Sequence, residues 1–410
     1  MSSSTEGSPS DQNGGDSPPH FISMNSDGAP GAVEQSLDVY GEWADEESTV
    51  ASEDVVYEKY ILKKWVFIVA TIIGIILVMG LSVTIGDYPI GVAESYQIIF
   101  DHVIRDIQEF FGMDVPDLDR AQQIKDHVVW NLRMPRLALG TVAGAGLAVA
   151  GAAMQSTLKN PLADPYTTGI SSGACFGATL AICYGTGVLA NDGTIVLSAF
   201  LFSLIPTGMI VSISMIKKVS PVSMILAGIA VMYIFNAFTT VMRLWADPND
   251  LEAVYQWQVG SFDGRHWSDL PVMLAVTFAG SVTVMLMSRD LNILSAGDES
   301  ARSLGMNAST MRIALLIVVS LMAASVVSFT GIIGFVGLVA PHVARMFVGA
   351  DNRYLVPASA VFGALLLIVS DLVGRTIISP AVLQVGVVTS FIGGPLFLYL
   401  VVRQRKEAWG

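Results

Sequence analysis

Charged residues are scarce in this chain. Only 14% of its 410 residues are Asp, Glu, Lys or Arg, whereas 52% are hydrophobic and the mean hydropathy is +0.59. An average soluble domain carries about 25% charged residues. The shortage of charge therefore excludes an ordinary soluble domain and indicates a polytopic membrane protein.

Cysteine is almost absent as well. The two cysteines, Cys175 and Cys183, are eight residues apart in one predicted spanning helix. That spacing is about 12 Å along a helix, whereas a disulfide needs Cα atoms within about 7 Å of each other. The sequence therefore excludes a disulfide between them, and we interpret both as packing residues.

Motifs for binding nucleotides and metals are also missing. The glycine-rich stretch 169–177, GISSGACFG, lacks the Gly-Lys-Ser/Thr ending of a phosphate-binding loop and follows no strand. His266 has no second His or Cys at ligand spacing, and no nucleophile with a base stands at usable spacing. We therefore expect no enzyme activity, no metal site and no cofactor in this chain. Any ATP must bind to another protein.

Long apolar runs dominate the rest of the chain. A bilayer-spanning helix needs about 20 apolar residues, and we predict ten such spans in an all-α fold, the eighth being short. They lie at 65–85, 137–156, 168–189, 194–216, 222–245, 270–287, 313–332, 334–348, 355–372 and 383–402. With the amino terminus inside, 14 of the 22 basic residues fall in inner segments, as the positive-inside rule requires. The sequence thus predicts a multi-pass plasma-membrane protein with both termini cytoplasmic.

Two segments outside the spans are rich in acid. Residues 1–58 contain 13 Asp or Glu and no Lys or Arg, and they have too little apolar surface to fold. We predict a disordered cytoplasmic tail over 1–58, with a docking role for residues 33–56 as the alternative, followed by a membrane domain over 59–410. The segment 86–127 is predicted to form one or two short extracellular helices in a solvated connector.

One long polar interval, residues 289–312, separates the sixth and seventh spans. Ser295 or Gly297 can cap a short helix there, and the acidic residues of its first turn complement the helix dipole. The apolar side of this helix consists of Leu294, Ala301, Leu304 and Met306. The segment is too short and too polar to cross a bilayer, so we predict a cytoplasmic platform that lies against the membrane.

Two spans carry a distinct residue pattern. The second span has a small residue nearly every fourth position, at Gly140, Gly144, Ala148 and Gly151. Small residues let helix backbones approach closely in lipid, so this pattern predicts a central packing helix. The fifth span has a polar stripe at Asn236, Thr239, Thr240 and Arg243. Such a stripe indicates a cavity lining, or else hydrogen bonding between helices.

Four stretches, in this order along the chain, resemble the iron-chelate and vitamin B12 family of ABC-importer permeases. They are RMPR at 133–136, NPLADPYTTGISSGA from Asn160, GDESARSLG at 297–305 and GFVGLVAPHVARMFVG from Gly334. The resemblance covers residue 65 to the carboxyl terminus. It implies a type II ABC-importer permease that works as a homodimer, with the pathway at the dimer interface. The implied partners are two ATP-binding subunits, which would hold ATP and Mg, and an extracellular substrate-binding protein.

The resemblance also implies roles for particular residues. The coupling loop, 295–307, would contact the ATPase through Gly297, Asp298, Glu299, Ala301, Arg302, Leu304 and Gly305. Docking of the binding protein would involve Arg133, Arg136 and Arg375, for which anchoring to lipid headgroups is the alternative. The gate and pathway would involve Ser220, Pro221, Asn236, Thr239 and Thr240. The chain departs from the family pattern at Pro221, Val382 and Gln384.

Taken with the resemblance, the sequence predicts an importer permease for a metal chelate. Ferric siderophores and corrinoids are the expected cargo, with haem less favoured, and no nucleic acid is expected as a partner. The alternative is a secondary transporter driven by an ion gradient, which would need carboxylates inside the membrane. Asp371, near one membrane edge, is the main candidate for such a group.

Overall fold

The computed structural model describes residues 61–86, 88–113, 118–185, 192–216 and 220–407. All regular structure within these ranges is helical. The predicted acidic tail, residues 1–58, lies outside the described residues, so its predicted disorder stays a prediction.

The helices follow one another with short connections. In chain order they are α1 (Ile61–Thr84), α2 (Val92–Phe110), α3 (Arg120–Asp126), α4 (Met134–Leu158), α5 (Ile170–Tyr184), α6 (Asp192–Ile216), α7 (Pro221–Arg243), α8 (Pro248–Val259), α9 (Leu270–Leu286), α10 (Ser288–Ala296), α11 (Asp298–Ser303), α12 (Ala308–Thr330), α13 (Val336–Val348), α14 (Asn352–Thr376) and α15 (Val385–Glu407). A π-helical segment, His127–Arg133, joins α3 to α4 without a break. Short 3₁₀ turns at Pro165–Thr168 and Trp267–Asp269 precede α5 and α9.

Ten of these helices match the predicted spans. Seven are long and apolar enough to cross a membrane, namely α1, α4 with the segments before it, α6, α7, α9 with its preceding turn, α12 and α14. The apolar helices α5, α13 and the first part of α15 are shorter. The prediction of an all-α, multi-pass membrane fold is confirmed. So is the short eighth span, because α13 has 13 residues and is about 20 Å long.

Helix α4 lies at the centre of the bundle, and its small residues explain why. A Cβ atom on Gly144 would lie 2.3 Å from the carbonyl oxygen of Gly363 in α14, and one on Gly151 would lie 1.8 Å from that of Gly337 in α13. The backbones of three helices therefore touch at positions where any larger side chain would collide. The predicted central packing helix is confirmed.

Ion pairs distinguish the two ends of the bundle. At one end, which we call the α11 end, Lys159 follows α4 and contacts Asp298 of α11. At the other, the α8 end, Arg136 in the first turn of α4 contacts Asp371 of α14 and Asp263 in the loop after α8. Because α4 runs from one end to the other, the predicted coupling loop and the predicted docking arginines lie at opposite ends.

Candidate functional site

The predicted coupling loop forms the short helix α11, which glycines bracket. Gly297 is the residue that caps its amino end, with φ 130° and ψ 161°, and it provides no side-chain hydrogen bond. Of the two predicted caps, Gly297 is therefore the observed one, and Ser295 belongs to α10. Only glycine adopts this backbone conformation readily, so Gly297 allows the chain to turn sharply from α10 into α11.

The carboxyl end of α11 is closed by a Schellman motif. The Met306 N–H donates to the Ala301 carbonyl at 2.8 Å, and the Gly305 N–H donates to the Arg302 carbonyl at 2.9 Å. Gly305 has φ +77°, the left-handed conformation that this motif needs. Gly305 therefore lets the chain leave α11 without backbone strain.

Asp298 fixes α11 to the bundle. Its carboxylate accepts hydrogen bonds from Arg312 Nη1 at 2.9 Å, from Arg312 Nη2 and from Lys159 Nζ at 2.8 Å. Arg312 also donates through Nε to the Thr157 carbonyl at 3.2 Å, and its side chain is only 5% exposed. The hydrogen bonds from Arg312, and then those from Lys159, hold the pKa of the Asp298 carboxyl well below its usual range.

These contacts tie α11 to the end of α4 and the start of α12. Sequence reasoning gave Asp298 a role in the helix dipole and missed both of its cationic partners. The available signal was Arg312 itself, a cation in the first turns of an otherwise apolar span, since such a group needs a buried partner.

The predicted contact residues divide between two faces of α11. Glu299, Arg302, Leu304 and Gly305 are exposed, and Leu304 is 68% exposed although it is a large apolar residue. Ala301, by contrast, is 0% exposed and packs into the core with Leu294 and Leu315. Ala301 therefore supports α11 from beneath, and its side chain does not lie on the exposed surface where we predicted it.

At the α8 end, two predicted docking arginines share one buried acid. Arg136 Nε donates to Asp371 Oδ1 at 2.8 Å, and Arg375 Nε donates to Asp371 Oδ2 at 3.0 Å. The Asp371 side chain is 2% exposed. Arg136 also donates from Nη1 to Asp263 at 3.1 Å, and the Asp263 side chain is 79% exposed. Asp371 and Arg375 are thus an ion pair between residues four apart on α14.

The arginines also satisfy backbone carbonyls where α1 ends. Arg133 donates from Nη1 to the Val83 carbonyl at 2.5 Å and from Nη2 to the Tyr88 carbonyl at 2.6 Å. Arg375 donates to the Ile85 carbonyl at 3.1 Å. The last carbonyls of a helix have no N–H donor within the helix. These guanidinium groups supply donors at that end and so cap α1. Their charged ends do not extend away from the protein, which argues against the lipid-anchor alternative, and docking stays a prediction.

The residues predicted for the gate and pathway lie along α7. Ser220 caps this helix by accepting a hydrogen bond from the Ser223 N–H at 3.2 Å, and Pro221 is its first residue. Asn236 and Thr240 are exposed, whereas Thr239 is buried. The predicted polar stripe is therefore split between an outward and an inward face of α7, and its role in a pathway stays a prediction.

A cavity of about 660 Å³ opens at the α8 end. Its lining includes Trp257, Asp263 and Arg265, together with Val382 and Gln384. The last two are among the three positions where the chain departs from the family pattern, Pro221 being the third. Two of the three departures therefore lie in a cavity wall rather than in the packed core.

The described residues contain no group of three or more His, Cys, Asp or Glu side chains that could hold a metal ion.

Comparison with known proteins identifies the family. The profile of the FecCD transport family matches residues 72–403. An ABC transporter permease protein of Methanocaldococcus jannaschii is 38% identical over 360 residues, which are 86% of this chain and 98% of that protein. The hemin transport system permease protein HmuU of Yersinia pestis is 37% identical over 286 residues, 69% of this chain and 86% of that protein.

Two further comparisons agree. The cobalamin import system permease protein BtuC of Halobacterium salinarum is 37% identical over 280 residues, 68% of this chain and 74% of that protein. A solved structure described as an inward-facing conformation of a metal-chelate type ABC transporter superimposes with a TM-score of 0.69 at 28% identity, covering 82% of this chain and 98% of that one. The extent of these matches, together with the all-helical membrane fold, shows that the chain belongs to the FecCD transport family of ABC transporter permeases.

Proposed function

We propose that this protein is the permease subunit of an ATP-driven importer and that two copies form the pathway for a metal chelate. The observation that carries this proposal is the construction of α11, a short exposed helix held rigidly to the ends of two spans. A rigid surface element of this kind can transmit movement of a bound subunit directly to the bundle. A flexible connector would absorb that movement.

The exposed face of α11 fits a protein partner. Leu304 is 68% exposed at its carboxyl end, and Glu299 and Arg302 are exposed beside it. An apolar anchor with a polar rim is the usual composition of a protein interface. In this proposal the α11 end is cytoplasmic and meets a separate ATPase subunit, which binds ATP and Mg. This chain contributes no catalytic residue.

The proposed cargo is a ferric siderophore or a corrinoid, with haem less favoured. Relatives of the chain are named for hemin, cobalamin, iron(3+)-hydroxamate and Fe(3+)-citrate, so metal chelates are their common cargo class. An external binding protein would deliver the chelate at the α8 end. The cavity beside Val382 and Gln384 lies at that end. Because these two wall residues differ from the family pattern, they fit a cargo preference that differs from that of other family members.

Co-purification tests the ATPase contact. We expect Leu304→Asp to remove the apolar anchor and abolish co-purification of the ATPase subunit from detergent. Leu304→Met is the matched control, because it keeps an apolar side chain of similar volume. If the ATPase remains bound to the Leu304→Asp variant, α11 is not the contact.

Uptake tests the energy source and the cargo. Vesicles containing the complex should take up labelled cobalamin or a labelled ferric chelate only when ATP reaches the ATPase, and an ionophore should not reduce that uptake. Uptake that needs no ATP and is abolished by an ionophore would instead establish the ion-gradient transporter.

A further inference from the structure

Helix α2 carries an apolar face that the described residues leave largely exposed. Six side chains on this face recur at three- and four-residue spacing, namely Val92, Tyr96, Phe100, Val103, Ile107 and Phe110. All six are exposed, from 39% for Val103 to 85% for Phe110. A solvated connector helix would turn apolar side chains inward, so the predicted solvated connector does not describe α2.

Three polar side chains of α2 contact the rest of the protein instead. Arg105 donates from Nη2 to Asp126 at 2.6 Å, and His102 Nδ1 lies 2.9 Å from the same carboxylate. Glu94 pairs with Lys125 of α3. These contacts fix the rotation of α2 about its axis. Its apolar face is therefore held outward by ion pairs on the other side.

The apolar face begins beside a spanning helix. A Cβ atom on Gly80 would lie 1.8 Å from the Tyr96 hydroxyl oxygen, so the Tyr96 ring lies against α1. Gly80 is four residues before the end of α1 at Thr84, which is about 6 Å along the helix. The neighbouring surface of α1 is itself exposed and apolar, with Leu77 67% exposed. The α2 face thus continues the membrane-facing surface of α1.

We propose that α2 lies in the membrane interface, with its apolar face against the acyl chains of the lipid leaflet at the α8 end. Helices with one apolar and one polar face bind membranes in this way. The helix carries four acids and one Arg, so attraction to anionic headgroups does not hold it. The occupant of the face is hydrocarbon, and neutral lipid is sufficient. This proposal requires the membrane fold alone and is independent of the proposed transport function.

Site-directed spin labelling of the full chain tests the proposal. The background variant is Cys175→Ala with Cys183→Ala, and single labels are placed through Phe100→Cys or Ile107→Cys. Asp101→Cys is the matched negative control, because it is exposed on the next residue and points about 100° away around the helix. Leu77→Cys on α1 is the positive control. The protein is reconstituted in nanodiscs of phosphatidylcholine.

The measured quantity is the accessibility of each label to oxygen relative to a water-soluble nickel complex. We expect this ratio at positions 100 and 107 to approach that at Leu77 and to exceed that at Asp101 several-fold, unchanged in high salt. A ratio at 100 and 107 equal to that at Asp101 would mean a water-facing surface, open to a soluble partner, and would overturn the proposal. Dipolar broadening between labels at position 100 would show a second copy on this face and overturn it as well.

Discussion

The contact of Asp298 with Arg312 and Lys159 gives a sharp prediction about the coupling loop. Changing Asp298 to Asn removes the negative charge that pairs with two cations. The neutral amide can still accept one hydrogen bond from Arg312. Arg312 then remains 5% exposed without a charged partner, which favours states in which α11 has moved away and water reaches the guanidinium.

The magnitude follows from burial. Breaking a fully buried ion pair costs about 3–5 kcal/mol. The Asp298 side chain is 33% exposed, so solvent screens part of the interaction, and the hydrogen bond retained by Asn reduces the loss further. We estimate a cost of about 2 kcal/mol, which corresponds to an increase of about 30-fold in the population of the undocked loop.

Hydrogen exchange measures this population. The Met306 amide donates to the Ala301 carbonyl at 2.8 Å and is protected only while the Schellman motif is intact. Its exchange should accelerate about 30-fold in Asp298→Asn. Glu299→Gln is the control, because this exposed residue follows Asp298 on α11. In this variant the Met306 amide should exchange at the wild-type rate. Unchanged protection of Met306 in Asp298→Asn would show that packing of Ala301, and not the ion pair, holds α11.

Four further predictions concern other parts of the chain. Gly151→Ala should prevent folding, because its Cβ would lie 1.8 Å from the Gly337 carbonyl oxygen, and Gly208→Ala, where nothing lies within 4 Å, should express normally in membranes. Asp371→Asn should lower the free energy of unfolding by about 3–5 kcal/mol, since it removes the buried carboxylate that Arg136 and Arg375 share, and stability equal to the wild type would refute this. Hydrogen bonds from Arg353 and then Asn292 lower the pKa of Asp351 to about 2. The contribution of this carboxylate to the free energy of unfolding is therefore complete above about pH 4 and is lost as the pH falls to about 2. Asp351→Asn should abolish this part of the pH dependence of unfolding. Deleting residues 1–55 should leave membrane insertion and uptake nearly unchanged, and lost uptake at normal membrane levels would contradict the predicted disorder.

The spans could be predicted because the lipid bilayer constrains the local sequence of each segment that crosses it. A segment that crosses hydrocarbon must satisfy its backbone within a helix and carry apolar side chains, so hydropathy alone located all ten apolar helices. The packing role of α4 could be predicted as well, since small residues at nearly every fourth position form a row along one face of the helix and allow close approach of other helices. Both predictions depend on local sequence, and both are confirmed.

The partners of polar residues could not be predicted in the same way. Arg312 meets Asp298 across 14 residues, and Arg133 meets the Val83 carbonyl across 50. No helical period connects such positions, so only the folded arrangement brings them together. Ala301 illustrates the same limit, because a small residue in a polar loop can be small to fit a partner or to fit the core. Sequence alone does not separate these two reasons.

The arginines at the α8 end show how a structural and a docking role can be combined. Arg133 donates to two backbone carbonyls, and Arg136 and Arg375 share the buried carboxylate of Asp371. Arg136 also pairs with Asp263, whose side chain is 79% exposed. This exposed pair is screened by solvent, so it contributes less to stability than the buried contacts do. A carboxylate of a docking protein can replace Asp263 on Arg136 while the buried contacts stay in place, so capping of α1 is compatible with the proposed docking.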